Sequence, residues 1–144
     1  MKTCDDYERI LREADMIKNL KCPGIPVVFD IEDNNDSICI IEEYISGKSL
    51  TEYISEAGCI TAHDMADIGI RICDIISYLH ECAGIVHLDI KPSNIIIRDN
   101  SDGKREVFII DFGNSDMIDG RHAGHAMYIT AGYAAPEQYN GDGS

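Results

Sequence analysis

The chain has 144 residues, enough for one domain around one modest core, and its apolar share of 44% is that of an ordinary globular protein. Against 12 basic residues stand 26 acidic ones, a formal charge of −14 that excludes a broad electrostatic grip on nucleic acid or on an anionic membrane. Six cysteines (Cys4, Cys22, Cys39, Cys59, Cys73 and Cys82) form no Cys-x-x-Cys pair and no zinc-like cluster, so buried, reduced thiols are expected. No apolar stretch follows a basic start and no run approaches the roughly 18 apolar residues of a membrane span, which points to a cytoplasmic setting.

From Asp5 to Leu20 apolar side chains recur at Tyr7, Ile10, Leu11, Ala14, Ile17 and Leu20, the spacing of one helical face. Acidic residues at its start and Lys18 and Lys21 at its end suit the helix dipole, and Pro23-Gly24 stops it. Glu13 falls at the edge of the buried face, where a carboxylate needs a reason. The runs Ile25 to Ile31 and Ser37 to Ile41 flank a polar turn, Glu32-Asp33-Asn34-Asn35-Asp36, and predict an antiparallel hairpin. That acidic turn lacks the further ligand positions of a calcium loop and reads as a solvated turn. Ser49 and Glu52 form a capping box for a short helix ended by Gly58. Thr61 caps a longer helix whose stripe of Met65, Ile68, Ile72, Ile75, Ile76 and Leu79 runs to about Glu81. Beyond it, Ile85-Val86, Ile95 to Ile97 and Val107 to Ile110 are short β runs, the last two joined as a hairpin through Asp102-Gly103.

Phosphoryl transfer asks for a carboxylate to orient the attacking hydroxyl, metal on the phosphates and a cation near the moving charge. The stretch His87-Leu88-Asp89-Ile90-Lys91-Pro92-Ser93-Asn94 offers all three between β runs. Asp89 would orient the hydroxyl and accept its proton, Lys91 would reach the transferred group, and Asn94 would give an amide oxygen to magnesium. Asp111-Phe112-Gly113 begins 17 residues after Asn94, at the end of a β run, where the Asp111 carboxylate can take magnesium bridging the nucleotide phosphates. Gly132-Tyr133-Ala134-Ala135-Pro136-Glu137 begins 21 residues further on.

With these three blocks the sequence resembles the middle of a bacterial Hanks-type (eukaryotic-like) Ser/Thr protein kinase domain. His87-Leu88-Asp89 is similar to the family's His-Arg-Asp, Asp111-Phe112-Gly113 to its Asp-Phe-Gly, and Ala135-Pro136-Glu137 to its Ala-Pro-Glu. The resemblance implies an α+β, two-lobed kinase-like fold cut at both ends. Residues 1–45 would supply part of the N-lobe (helix αC, two strands and the hinge), and residues 46–144 part of the C-lobe with the catalytic loop and activation segment. It makes Glu13 the ion-pairing glutamate of αC, Glu43-Tyr44-Ile45 the hinge whose backbone at Glu43 and Ile45 holds adenine, and Glu42 an acidic gatekeeper. Ile17, Val28, His87 and Phe112 would stack as a hydrophobic spine, leaving His87 structural. Thr130 would bridge Asp89 and Lys91, and Lys91 marks the Ser/Thr form of the loop. The implied cofactors are ATP and Mg2+, and the implied partner is a protein with a Ser or Thr acceptor.

Leu88 stands where the family carries the arginine that gathers a phosphorylated activation segment, so control by such phosphorylation is not expected. His122 and His125 read as residues of that segment and not as metal ligands. Neither the family's Gly-rich loop nor its strand lysine is matched ahead of Asp5, and Lys2 lies too near Glu13 to be that lysine. Activity in isolation is therefore expected to be weak or absent, with the stripe from Met65 to Leu79 partly uncovered and open to partners or self-association. Two other readings stand beside phosphotransfer to protein: a catalytically inactive remnant serving as a binding module, and a small-molecule phosphotransferase, against which Lys91 and the Ala-Pro-Glu block argue.

Overall fold

The computed structural model describes residues 14–33, 38–101, 103–118 and 129–139. Glu13, Cys4, Asp102, His122, His125 and most of the acidic turn, residues 34–36, lie outside the described residues.

The chain enters through α1, helical over residues 14–18, with Ala14 and Ile17 buried as the stripe requires. Two strands follow, β1 (Val28–Asp33) and β2 (Ile38–Glu42), paired antiparallel from Asp33↔Ile38 to Val28↔Glu42 with an irregularity between Val28 and Asp30. The predicted hairpin is present, and it leaves Val27, Phe29 and Ile41 exposed.

A two-residue strand β3 (Lys48–Ser49) leads into α2 (Leu50–Ala57). Both halves of the Ser49–Glu52 capping box form, Ser49 Oγ accepting from the Glu52 N–H while Glu52 accepts from the Ser49 N–H at 2.8 Å. Thr61 caps α3 (Ala62–Tyr78) through the Asp64 N–H at 3.1 Å. The helix widens into a π turn over Leu79–Ala83 and stops at Gly84, whose φ of 68° is left-handed. Of the predicted stripe, Ile68, Ile75 and Leu79 are buried, Ile72 and Ile76 half-buried, and Met65 is 41% exposed.

β4 (Ile85–Val86), a 3-10 turn (Pro92–Asn94), β5 (Ile95–Asp99), β6 (Arg105–Ile109), β7 (Asp116–Met117) and the single turn α4 (Pro136–Tyr139) complete the order. β3, β5 and β6 make one antiparallel sheet, β4 and β7 another. Ile95 and Ile97 point inward with Leu50, Ile68 and Val107 into one core, while Ile17, Ile25, Val28, Ile75, Leu79, Ile85, Ile109 and Phe112 form the other. The two clusters are contributed by the same helix α3, so they are halves of one interior. Gly24 joins them at φ +95°: its carbonyl accepts from Ile109 N–H at 2.8 Å, and an added Cβ would sit 2.4 Å from Ile75 Cδ1. Only a glycine permits that approach.

One expectation fails. Cys39, Cys59, Cys73 and Cys82 are exposed and Cys22 is half-buried, all of them free thiols. Cys73 follows the half-buried Ile72 by one residue, about 100° around α3, so an apolar neighbour in sequence did not mean a buried face. No described helix is long and apolar enough to cross a membrane.

Candidate active site

The site is built where the β5–β6 ladder ends. Ile95 pairs with Ile109, and Ile110 N–H donates to Asn94 O at 2.9 Å, one step beyond the last strand pair. That register carries Asn94 and Asp111, 17 residues apart in sequence, to the same edge of the sheet. Asp111 itself adopts φ 65°, a strained turn for a residue with a Cβ, and its side chain is open to solvent. Phe112 is turned inward to the core.

Ahead of Asn94 the chain makes a second strained turn. Leu88 lies at φ 61°, and Asp89 N–H donates back to His87 O at 2.9 Å across it. His87 is 2% exposed and both its ring nitrogens are engaged: Nε2 donates to Ile110 O at 3.2 Å, and Nδ1 accepts from Asp89 N–H at 3.3 Å. Those partners require the neutral Nε2–H tautomer. Burial depresses the imidazole's pKa, outweighing the Ile110 carbonyl and the charges of Asp111 and Asp89 that favour a proton. His87 also lies 4.8 Å from the Phe112 ring, and Ile17, Val28 and Phe112 share one core cluster. Three of the four residues anticipated to stack thus share a core cluster, and His87 joins them through a tilted ring contact with Phe112.

The turn delivers the Asp89 carboxylate, 6% exposed, to three donors. Thr130 Oγ1 donates to Oδ1 at 2.6 Å; Lys91 Nζ donates to Oδ2 at 2.7 Å and Asn94 Nδ2 to the same oxygen at 3.2 Å. Lys91 Nζ also donates to Thr130 Oγ1 at 3.2 Å, closing a ring of Asp89, Lys91 and Thr130. Burial works to raise the Asp89 carboxyl, but the bonds from Lys91, Thr130 and Asn94 and the Lys91 charge prevail and hold it below the usual aspartate range. Asp89 is thus an ionised, oriented carboxylate at neutral pH and a weak base in the ground state.

Asn94 Nδ2 is taken by Asp89 O at 3.1 Å as well as by the Asp89 carboxylate, which leaves its Oδ1 with the long contact to Ser93 Oγ at 3.4 Å. A buried amide oxygen and an open carboxylate, Asp111, at the same sheet edge are hard oxygens of the kind magnesium takes together with phosphate and water. No larger group of His, Cys, Asp and Glu able to hold a metal occurs among the described residues.

On the other side, Glu43 N–H donates to Val27 O at 2.8 Å, fixing the start of the connection from β2 to β3. Ile45 is half-buried there and enters no hydrogen bond with a described residue. Glu42, though its side chain reaches solvent, has enough protein around it that desolvation raises its carboxyl, and the negative charge of Asp111 adds to the rise. Two residues of this site carried no signal in the sequence: Ser115, buried with Oγ donating to His87 O at 3.4 Å, and Gln138, buried with Nε2 donating to Leu88 O at 2.9 Å.

A protein kinase domain model matches residues 1–143. The chain belongs to the protein kinase family. Among curated proteins this kinase chain is 32% identical over 135 residues to a "probable serine/threonine-protein kinase" of Clostridium perfringens, covering 92% of the chain and 19% of the relative. It is 32% identical over 139 residues to myosin light chain kinase A of Dictyostelium discoideum, covering 96% and 46%. It is also 33% identical over 131 residues to serine/threonine-protein kinase cds1 of Schizosaccharomyces pombe, covering 90% and 27%. The kinase chain thus spans between a fifth and a half of the length of these relatives. Its mixed helices and small antiparallel sheets are those of an α+β fold.

Proposed function

We propose that this chain carries the catalytic loop of an ATP-dependent protein Ser/Thr kinase, with Asp89 orienting the acceptor hydroxyl. The observation that supports it best is the Asp89 carboxylate, fixed from three directions by Lys91, Thr130 and Asn94. A carboxylate so held can take the proton of a serine or threonine hydroxyl as the oxygen attacks, while its low basicity keeps it ionised beforehand. Lys91, hydrogen-bonded to Asp89 and Thr130, is placed to swing onto the transferred phosphoryl group. Asn94 Oδ1 and Asp111 would hold Mg2+, which supplies neutralisation of the phosphate charge.

Adenine would lie against the connection after β2, accepting from Ile45 N–H and donating to Glu43 O, with Glu42 beside it. Glu13, outside the described residues, would complete the nucleotide site by ion pairing. In this reading residues 1–45 and 46–144 are parts of the two lobes, and the chain works in the cytoplasm of a bacterium. Its partner is a protein with a Ser or Thr acceptor, and the net charge of −14 speaks against nucleic acid and anionic membranes.

Titration calorimetry with ATP tests the nucleotide half of the proposal. Binding that needs Mg2+ and is lost in Asn94→Ala and Asp111→Ala is expected; absence of binding at millimolar ATP and Mg2+ would favour a remnant that only binds a partner through exposed Val27, Phe29, Ile41 and Met65.

A further inference from the structure

Gln138 has no part in the chemistry above, yet its side chain is 8% exposed and hydrogen-bonded at both ends. Its Oε1 accepts from Ala135 N–H at 2.8 Å and its Nε2 donates to Leu88 O at 2.9 Å. A backbone N–H can only donate and a carbonyl only accept, so a single orientation of the amide satisfies both ends. The first bond is half of a capping box, the third residue of α4 reaching back to the residue that precedes the helix. The second bond does nothing for α4. It crosses 50 residues of sequence to the strained turn at Leu88.

The peptide unit between Leu88 and Asp89 is thereby clamped at both polar ends. Its carbonyl is held by Gln138, and its N–H is directed at His87 O (2.9 Å) and His87 Nδ1 (3.3 Å). This unit sits immediately before Asp89, and its plane sets where the Asp89 carboxylate points. Residues with a Cβ do not hold φ near 61° unless the surroundings impose it. The Leu88 side chain has no polar atom, so any hydrogen-bonded restraint on the turn acts through its backbone. The same segment that supplies Gln138 also supplies Thr130, the donor to Asp89 Oδ1.

We infer that Gln138 is a positioning residue for Asp89: it holds the Leu88–Asp89 peptide in its strained turn and makes the alignment of Asp89 depend on the seating of residues 129–139. The inference rests on the reading of Asp89 as the hydroxyl-orienting residue. It gives the chain a way to couple that segment to the catalytic carboxylate through the backbone at position 88.

Two substitutions separate positioning from capping. Gln138→Glu keeps an acceptor for Ala135 N–H but has no donor for Leu88 O, whereas Gln138→Ala loses both bonds. Amide hydrogen exchange of the purified chain, followed by NMR near pH 7, should show the Asp89 amide exchanging about tenfold faster in both variants, as loss of one hydrogen bond to a strained unit allows. The Ile75 amide in α3 should be unchanged in both. If Gln138 merely caps α4, Gln138→Glu will match the unsubstituted chain and only Gln138→Ala will differ, which overturns the inference. Should a variant loosen the whole fold, Ile75 accelerates too, and an unaltered ratio of Asp89 to Ile75 exchange overturns it equally. In phosphate transfer to a serine peptide, kcat should fall about tenfold while KM for ATP stays constant. Where the chain transfers no phosphate before substitution, the exchange data alone decide the role of Gln138, and calorimetry with ATP decides the proposed function.

Discussion

Thr130 Oγ1 lies 2.6 Å from Asp89 Oδ1 and 3.2 Å from Lys91 Nζ, so one hydroxyl donates to the carboxylate and accepts from the ammonium. The two residues it links are themselves 2.7 Å apart. Such a ring fixes the carboxylate far better than a single ion pair, because rotating it breaks bonds to more than one partner.

Thr130→Val keeps the shape and removes the hydroxyl. The Asp89 carboxyl, now short of one donor, should titrate closer to an ordinary aspartate in a carbon-detected NMR titration. Phosphate transfer should drop by about ten- to a hundredfold, the range for losing one hydrogen bond to a charged group. Thr130→Ser should retain most of both properties. A titration unmoved by Thr130→Val would remove Thr130 from the site.

Acidification offers a test of His87. Its folded pKa is lowered from 6.5, first by burial, so below about pH 6.5 the unfolded chain takes up a proton that the folded chain refuses. Stability contributed by the neutral imidazole is whole above pH 6.5 and declines as pH falls through 6.5, levelling once the folded group protonates. Urea midpoints between about pH 7.5 and 5.5 should therefore fall, and His87→Leu, less stable at the start, should show a flatter slope. Equal slopes would mean that the folded chain takes up the His87 proton as readily as the unfolded chain does.

Gly24 and Gly58 both hold positive φ but differ in what surrounds them. A Cβ on Gly58 meets nothing within 4 Å, so Gly58→Ala should cost only the left-handed backbone, about 1–2 kcal/mol. A Cβ on Gly24 would meet Ile75 Cδ1 at 2.4 Å and Val107 O at 2.8 Å, and Gly24→Ala should cost about 2–5 kcal/mol when overpacking is added. Thermal denaturation of the two variants side by side should give the larger loss at Gly24.

Arg105 ties four elements together: its guanidinium reaches Asp64 of α3 and Asp99 of β5 at 3.0 Å each and Tyr53 Oη of α2 at 2.7 Å, from its own place on β6. With a bidentate-capable fork over the Tyr53 ring, Arg105→Lys should recover little of what Arg105→Ala loses, about 1–2 kcal/mol. Chemical denaturation of both variants measures it, and a lysine variant as stable as the unsubstituted chain would show that charge alone suffices.

Much of this is legible in the sequence. The Ser49 and Thr61 caps, the stripe from Ile68 to Leu79 and the β5–β6 hairpin were legible because each is written in a local pattern that tertiary packing reinforces. The proximity of Asp89, Lys91, Asn94 and Thr130 was anticipated from the family resemblance, and the hydrogen bonds show that these side chains do meet. Their catalytic roles await the tests above. Less legible were β3 and β7, two residues each, which exist as strands only because β5 and β4 pair with them. Cys73 was misread because an apolar run on a helix shows only some of its residues to the core. Gln138 was invisible for another reason: its partner Leu88 offers a backbone carbonyl, and no side-chain pattern advertises that.

Transfer of labelled phosphate from ATP to a Ser/Thr peptide, compared between the chain and Asp89→Asn, bears most directly on the central claim. Asparagine preserves the shape of the side chain while removing its charge and its ability to take the hydroxyl proton. The account predicts that labelling of serine or threonine by the chain, weak as it is expected to be, falls about a hundredfold or more in Asp89→Asn, the upper part of the usual range for a general base. Equal labelling above background by the two proteins would contradict it.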